Sequence, residues 1–204
     1  MAKEIVKKGQ NFAVYADGSV RIDNVRLSYP HLTRPWNQEE FDDNGKPTIK
    51  KFSMKGIGSK ETHEAVKNAC VEIINKLCTE KKFGKLGTDK KFVRNGDDLG
   101  GDENEGAWVF SASESANRPP KLRDQRGNVV SGDEAEAIFY AGCRVDLLIR
   151  PWAQDNKFGK RINAGLIAVK FRADDEPFGE AAIDDDGVFE CEDGDDGMDD
   201  DGGL

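Results

Sequence analysis

The stretch from Cys143 to Ile149 limits the fold more than any other. It reads Cys-Arg-Val-Asp-Leu-Leu-Ile, with Cys143, Val145, Leu147 and Ile149 at every second position. Side chains alternate across a strand, so these residues share one apolar face, while Arg144, Asp146, Leu148 and Arg150 share the other. A helix would scatter the same set around its circumference. The wider segment "AIFYAGCRVDLLIRPWAQ" reads as strand throughout, and a second strand-like run, "RINAGLIAVKFRA", follows after "DNKFGK". Together they predict a long antiparallel hairpin with a basic tip. Pro151 cannot donate to a ladder, so the first strand must bend, bulge or lie on an edge there.

Other strands precede the hairpin. "NFAVYADGSVRIDNVRLSYP" opens the ordered part, with the turn signal Asp17-Gly18 between two runs rich in Val, Ile and aromatics. That pattern predicts a hairpin or a bent strand that ends at Pro30. "HLTRPWNQEEFDDNGKP" reads as loop, "TIKKFSMKGIG" as strand and "AWVFSAS" as strand. Between the last two lies a helix, "SKETHEAVKNACVEIINKLCTEKKFG", where Ala65, Val66, Ala69, Cys70, Ile73, Ile74 and Leu77 form one stripe. Ser59 or Thr62 can cap its start, Lys81 and Lys82 suit its negative end, and Gly84 can stop it. His63 is expected near the exposed beginning of this helix. The stretch "KKFGKLGTDKKFVRNGDDLGGDENEG" has no period and reads as a long loop, and "ESANRPPKLRDQRGN" as an extended basic loop. Strands outnumber the single helix, so the body is predicted to be mainly β: a small barrel or sandwich with one amphipathic helix packed on it, in the α+β class.

Charge divides the chain in two. Of 39 acidic residues, fifteen fall in residues 174–204, where no Lys or Arg occurs. The remaining 24 acids face 30 bases over residues 1–173, so the body carries about +6 and the tail −15. The tail has too little apolar area to offset the entropy lost on ordering, which predicts a disordered acidic segment after one domain spanning 1–173. Its acids include Asp184, Asp185, Asp186, Asp195, Asp196, Asp199, Asp200 and Asp201. A flexible chain of 31 residues spans roughly 30 Å. At such range it can occupy a basic groove on its own body, at an effective concentration of millimolar order.

Several function classes are disfavoured. Cys70, Cys78, Cys143 and Cys191 include no pair at C-x-x-C spacing, and His31 and His63 are the only histidines, so no zinc site or other metal site is expected. Cys70 and Cys143 read as small buried apolar groups. No P-loop, G-x-S-x-G or H-E-x-x-H occurs, and the acids of "GDDLGGDENEG" lack the His or Lys companions of a metal-dependent nuclease. No cofactor and no enzymatic activity are expected. The N-terminal charges are not followed by an apolar stretch and no apolar run approaches a membrane span, which predicts an intracellular protein.

The basic loops carry the candidate site. Beyond Pro151 the hairpin offers Arg150 and Trp152 near a rim and Lys157, Phe158, Lys160 and Arg161 at its tip. Cations follow phosphates and aromatic rings stack on unpaired bases, so this mixture suits a single-stranded nucleic acid. Arg118, Lys121 and Arg123 add charge from "RPPKLRDQRG", and Trp36 and Phe52 repeat the pairing of ring and cation in "RPW" and "IKKF". A second reading takes the polyanionic tail as the active part, making the chain an acidic DNA mimic or an interaction protein that binds a basic enzyme.

The hairpin segment "YAGCRVDLLIRPWAQDNKFGKRINAGLIAVKFRADDEPFG" resembles the C-terminal signature of a family of phage single-stranded DNA-binding proteins, first catalogued as a group of unknown function. "VRLSYPHL" resembles the same family's opening strand, and the likeness extends over most of residues 20–180. The resemblance implies an OB-fold, a five-stranded partly open barrel elaborated by long loops. It implies binding of single-stranded DNA with little sequence preference in phage DNA replication or recombination, inside the host bacterial cytoplasm. It also implies that the acidic tail recruits replication or recombination proteins.

Overall fold

The computed structural model describes residues 3–36 and 50–179. Its strands are β1 (Ile5–Gly9), β2 (Phe12–Tyr15), β3 (Val20–Trp36), β4 (Lys51–Ser59), β5 (Val93–Asn95), β6 (Ala107–Ser115), β7 (Lys121–Arg123), β8 (Arg144–Asn156) and β9 (Gly159–Ala173). Two α-helices join them, α1 (Lys60–Glu80) and α2 (Gly132–Ile138).

Five strands close a barrel in the order β3-β4-β6-β9-β8, with β8 returning to β3. The seam between β6 and β9 is parallel and consists of one residue pair, Ser113 with Gly165; the other seams are antiparallel. In barrel order the strands run first, second, third, fifth, fourth, which is the OB-fold arrangement. The expected alternation holds: Cys143, Val145, Leu147 and Ile149 are all buried inside. Each fully buried Ile or Leu of such a core contributes about 1.5–3 kcal/mol. The long hairpin is β8 and β9, paired from Arg144–Ala173 down to Asn156–Gly159. β3 pairs β8 no further than Ile149, so the segment that begins after Arg150 runs on with β9 alone, and the missing N–H of Pro151 falls where no ladder bond is required on the open side.

Asp17-Gly18 makes the turn between β2 and β3, with Gly18 at φ 78°. The N-terminal order begins earlier than Asn11, because β1 pairs with β2. Pro30 does not end β3. The strand bulges between Ser28 and His31 and continues to Trp36, so a proline placed in a bulge costs no ladder bond.

α1 starts where Ser59 Oγ accepts the Thr62 N–H at 3.3 Å. It ends at Glu80 with Lys81 as its cap, and Lys82, at φ 53°, turns the chain left-handed, so Gly84 is not the stop. Val66, Ala69, Cys70 and Ile74 join the barrel's own apolar cluster, and α1 touches β4, β5, β6, β8 and β9. Contact with that many strands means the helix covers an end of the barrel. His63 is not exposed as expected. It is 1% accessible, accepts at Nδ1 from Thr62 Oγ1 at 2.8 Å and donates from Nε2 to the Asp23 carbonyl at 2.9 Å. Its ring fills the space above Gly58, where an added Cβ would lie 2.5 Å from the imidazole. Burial depresses its pKa, with the Asp23 carbonyl bond opposing. Burial also raises the thiols of Cys70 and Cys143 to about 12, as suits packing groups.

Three stretches fold differently from their sequence pattern. The glycine-rich segment after α1 contains β5, which pairs with β6, and the basic loop contains β7, which pairs parallel with β9. Before Cys143, Ala137 and Ile138 belong to α2 and residues 139–142 form a turn rather than strand; Ala135 is buried in α2, and Glu136 meets Thr33 at 3.0 Å and Arg34 at 3.2 Å. Packing also continues past Ala173. Arg144 Nε donates to Asp175 at 2.6 Å, Arg26 lies 3.5 Å from the same carboxylate, and the Phe178 ring sits 4.1 Å from the Arg26 guanidinium carbon. Burial pushes the Asp175 carboxyl up, but the Glu176 N–H and the two guanidinium groups outweigh it and hold the pKa low. Gly142, at φ 111°, lets the Glu176 carbonyl pass where a Cβ would stand. Contacts with the barrel thus continue past Ala173, along a strap, as far as Phe178. The acidic residues from Asp184 to Asp201 fall outside the described residues, as does most of the loop between β3 and β4.

Candidate nucleic-acid interface

Alternation decides what the barrel shows to solvent. On β4, Phe52, Met54 and Gly56 point inward, so Lys51, Ser53, Lys55 and Ile57 point outward. Their partners on β6 are Ser115, Ser113, Ser111 and Val109. The outer face of β4 and β6 therefore carries lysines over a floor of serines, and Gly165 extends that floor onto β9.

Two adjoining recesses share Ser113 and make one groove. The first, about 310 Å³, is lined by Tyr29, Lys55, Lys90, Lys91, Arg94, Arg161 and Asn163 around Ser111 and Ser113. The second, about 540 Å³, is lined by Lys51, Arg118, Arg150, Trp152 and Ile167 around Gly165. Among the described residues eight cations line the two, against the acids Asp89 and Glu114. Small floor residues let a backbone approach closely, and the cations stand where its phosphates would run.

Some of these charges are already engaged. Lys90 lies 3.0 Å from Asp89, Arg118 lies 3.2 Å from Glu114, and Arg150 lies 3.1 Å from Asp17. The Asp17 carboxyl is held well below the usual range by hydrogen bonds from Lys3 and Ser19. The pKa of Lys55 is lowered, first by burial and then by the neighbouring Arg94, with Glu103 opposing. A cation crowded in this way gains from the arrival of a phosphate.

The expected site residues separate into groups. Arg150, Trp152, Arg118 and Arg161 line the groove, and Trp152 is 46% exposed. Lys157, Phe158 and Lys160 sit at the hairpin tip; Phe158 is 70% exposed, Lys157 caps its ring at 5.0 Å, and Lys160 lies 5.1 Å from the Phe83 ring. Trp36, at the end of β3, pairs with Lys51 and packs on His31 at 4.3 Å between centroids. Phe52 cannot stack on a base: it is 5% accessible, because alternation turns it into the barrel. Lys121 and Arg123 lie on β7, beside Ala168 and Lys170 of β9. Arg123 lines a separate recess with Arg21, Lys170 and Arg172, so it is not part of the groove.

Tyr29, Lys51, Lys55, Lys90, Lys91 and Arg94 complete the groove and were not singled out from the sequence. Part of the signal was present. In "KKFSMKG" the lysines Lys51 and Lys55 are four apart and in "FSASES" three serines alternate, which puts each set on one face.

An OB-fold barrel whose second and third strands floor a cationic, ring-edged groove defines a class: a single-stranded nucleic-acid-binding protein rather than an enzyme. A family model, the single-stranded DNA-binding protein of Enterobacter phage Enc34, matches residues 18–200. The chain belongs to that family of phage single-stranded DNA-binding proteins. The solved Enc34 protein is 37% identical, covering 93% of this chain and 100% of its own, with a TM-score of 0.76. The same phage protein in complex with single-stranded DNA is 38% identical, covering 87% and 98%, with a TM-score of 0.77. The single-stranded DNA-binding protein gp2.5 of bacteriophage T7 is 10% identical over 85% of this chain and 96% of its own, with a TM-score of 0.53, a likeness of fold. No curated protein matches the chain. Among the described residues no helix is long and apolar enough to cross a membrane.

Proposed function

We propose that this chain binds single-stranded DNA without sequence preference during phage DNA replication or recombination, in the host bacterial cytoplasm. The observation that carries the reading is the serine- and glycine-floored groove, lined among the described residues by eight cations against two acids. It lies on the barrel face that OB-folds use for nucleic acids. Lys51, Lys55, Lys91, Arg94 and Arg161 meet phosphates. Arg118 and Arg150, paired with Glu114 and Asp17, border the path. Trp152 and the tip residue Phe158 stack on bases, with Lys157 and Lys160 beside the tip. The relative whose structure holds single-stranded DNA supports the same ligand.

The acidic tail competes with DNA for this groove and, once displaced, recruits replication or recombination proteins. Its root supports that role. Phe178 packs with Leu99 against Ile57, Ala107 and Val109, and Ile57 and Val109 are the next outward pair along the strands from Lys55 and Ser111. The strap therefore hands the chain over beside the groove, and residues 180–204 then contain twelve acids.

A titration of labelled oligo-dT with the full chain and with residues 1–179, at two salt concentrations, tests both parts. Binding by both, tighter without the tail at low salt, is expected. Equal or weaker affinity of the shortened form defeats tail competition. No binding by either form defeats the DNA-binding reading and leaves the polyanionic tail as the active part, as in a DNA mimic.

A further inference from the structure

We propose that a second recess, on the outer face of β3, β8 and β9, is the seat of the chain's own acidic segment 184–193, with Phe189 on its apolar floor and the carboxylates on either side meeting Arg123 and Lys170. This goes beyond competition at the groove, which concerns where the tail acts against DNA, and the two can fail separately.

The recess holds about 620 Å³ and, among the described residues, shares no lining residue with the groove. Arg144, Asp146, Leu148 and Arg150 alternate outward along β8, and Leu148 is the apolar member of the four. Its partner across the ladder is Ala168, and with the half-buried Tyr15 they make an apolar floor. Lys3, Arg21, Arg123, Lys170 and Arg172 stand around it against Asp23 and Asp146. Pairing within the rim shows which charges are left over. Arg21 holds Asp23 at 2.7 Å, Arg172 holds Asp146 at 2.7 Å and Lys3 holds Asp17 at 2.7 Å. Arg123 donates to the Gly127 carbonyl at 2.7 Å, and among the described residues neither it nor Lys170 has an acid partner. The two stand side by side, at partner positions of β7 and β9. An apolar floor beside two unmatched cations fits an acidic peptide with an apolar centre.

The tail contains such a peptide, and it is long enough to arrive. Residues 184–193 read Asp-Asp-Asp-Gly-Val-Phe-Glu-Cys-Glu-Asp, and Phe189 is the only aromatic residue after Phe178. A polyanion held by charge alone needs no such ring, whereas burying one adds affinity that salt does not screen. The strap brings Phe178 against Arg26, and Arg26 and Arg21 are five positions apart on β3, roughly 17 Å at the rise of a strand. A flexible chain as long as residues 179–188 spans roughly 17 Å, and an extended one about 35 Å.

The seat also serves the groove. Leu148 is two positions before Arg150, which lines the groove, so the two lie about 7 Å apart on the same side of β8. Seating 184–193 therefore delivers the later acids, Asp195, Asp196, Asp199, Asp200 and Asp201, to the Arg150 end of the groove, where they meet DNA in competition. The recess itself lies off the DNA path, so the middle of the tail stays seated whether or not DNA is bound.

The test uses the full chain with Phe189→Ser, which changes no residue of the barrel and frees the recess for a labelled peptide of residues 184–193. Fluorescence anisotropy should show saturable binding of this peptide, and the same peptide carrying Phe189→Ser should bind about tenfold more weakly. Adding Arg123→Gln and Lys170→Gln to the chain should weaken the peptide about fivefold, whereas Lys55→Gln in the groove should leave it unchanged. Saturating oligo-dT should not displace it. In the unaltered chain, carbodiimide cross-linking read by mass spectrometry should join Lys170 to Glu190, Glu192 or Asp193, with a yield that does not depend on protein concentration. The seat is overturned by absence of peptide binding, by equal affinity of the two peptides, by a loss in Lys55→Gln instead of the β7–β9 pair, by displacement with oligo-dT, or by cross-links that form only between chains at high concentration. Each of those results leaves the affinity for oligo-dT, and the DNA-binding reading with it, intact.

Discussion

Neutralising Arg94 and Arg161 together gives a sharp quantitative prediction. Eight cations line the groove, and three of them have an acid partner among the described residues: Lys90, Arg118 and Arg150. About five remain to meet phosphates. For single strands each neutralised phosphate adds roughly 0.7 to the slope of log K against log salt, so the parent slope is expected near −3.5. Arg94→Gln with Arg161→Gln removes two contacts and brings the slope to about −2.1. Counterion release alone then weakens binding about 25-fold at 0.1 M salt and about fivefold at 0.3 M. Fluorescence anisotropy with labelled oligo-dT over a series of salt concentrations reads both numbers. Lys121→Gln with Arg123→Gln serves as the control, since β7 lies outside the groove, and its slope should match the parent. Equal slopes for all three proteins, or a larger effect from the β7 pair, would refute the assignment of the groove.

The remaining predictions concern shape and stability. Gly165→Leu should leave the melting temperature nearly unchanged, because a Cβ there meets only Glu114 Oε2 at 3.4 Å and the Arg150 carbonyl at 3.6 Å, yet weaken oligo-dT binding by filling the floor; undiminished binding would show that DNA does not cross β9. Gly56→Ala should lower the melting temperature by about 3–10 °C, since its Cβ would lie 2.8 Å from Leu147 Cδ1 and 2.9 Å from Val25 Cγ2 inside the barrel. The buried His63 has a lowered pKa, so below its ordinary value near 6.5 the unfolded chain binds the extra proton first. Stability should therefore fall as pH drops below about 6.5, by up to roughly 1.4 kcal/mol per unit for this group until the folded pKa is passed. Denaturant melts at pH 7.5 and 5.5 check the sign, and His63→Gln should flatten the difference.

The barrel was legible where local pattern and tertiary role agree. The alternation from Cys143 to Ile149, the Asp17-Gly18 turn and the Ser59 cap all act within a few residues. Pro30 misled because its meaning depends on a bulge that exists only when β4 is alongside. β5 and β7 are three residues each and are strands by virtue of their partners on β6 and β9, which no window of sequence contains. His63 was misplaced because the Asp23 carbonyl that receives its proton lies forty positions earlier. The groove was half legible for the same reason. Its hairpin residues cluster in sequence, whereas Tyr29, Lys55, Arg94 and Ser111 come from four strands or loops that only barrel closure brings together. Phe52 was the avoidable error, since alternation with Lys51 already turned it inward.

The most direct measurement of the central claim is amide hydrogen exchange of the full chain with and without oligo-dT. The account predicts slowed exchange in β4, β6, the segment from Lys90 to Arg94 and the β8–β9 hairpin from Arg150 to Arg161, with β7 and the recess around Arg21 and Arg172 unchanged. Protection confined to β7 and that second recess, with the serine-floored face unaffected, would contradict it.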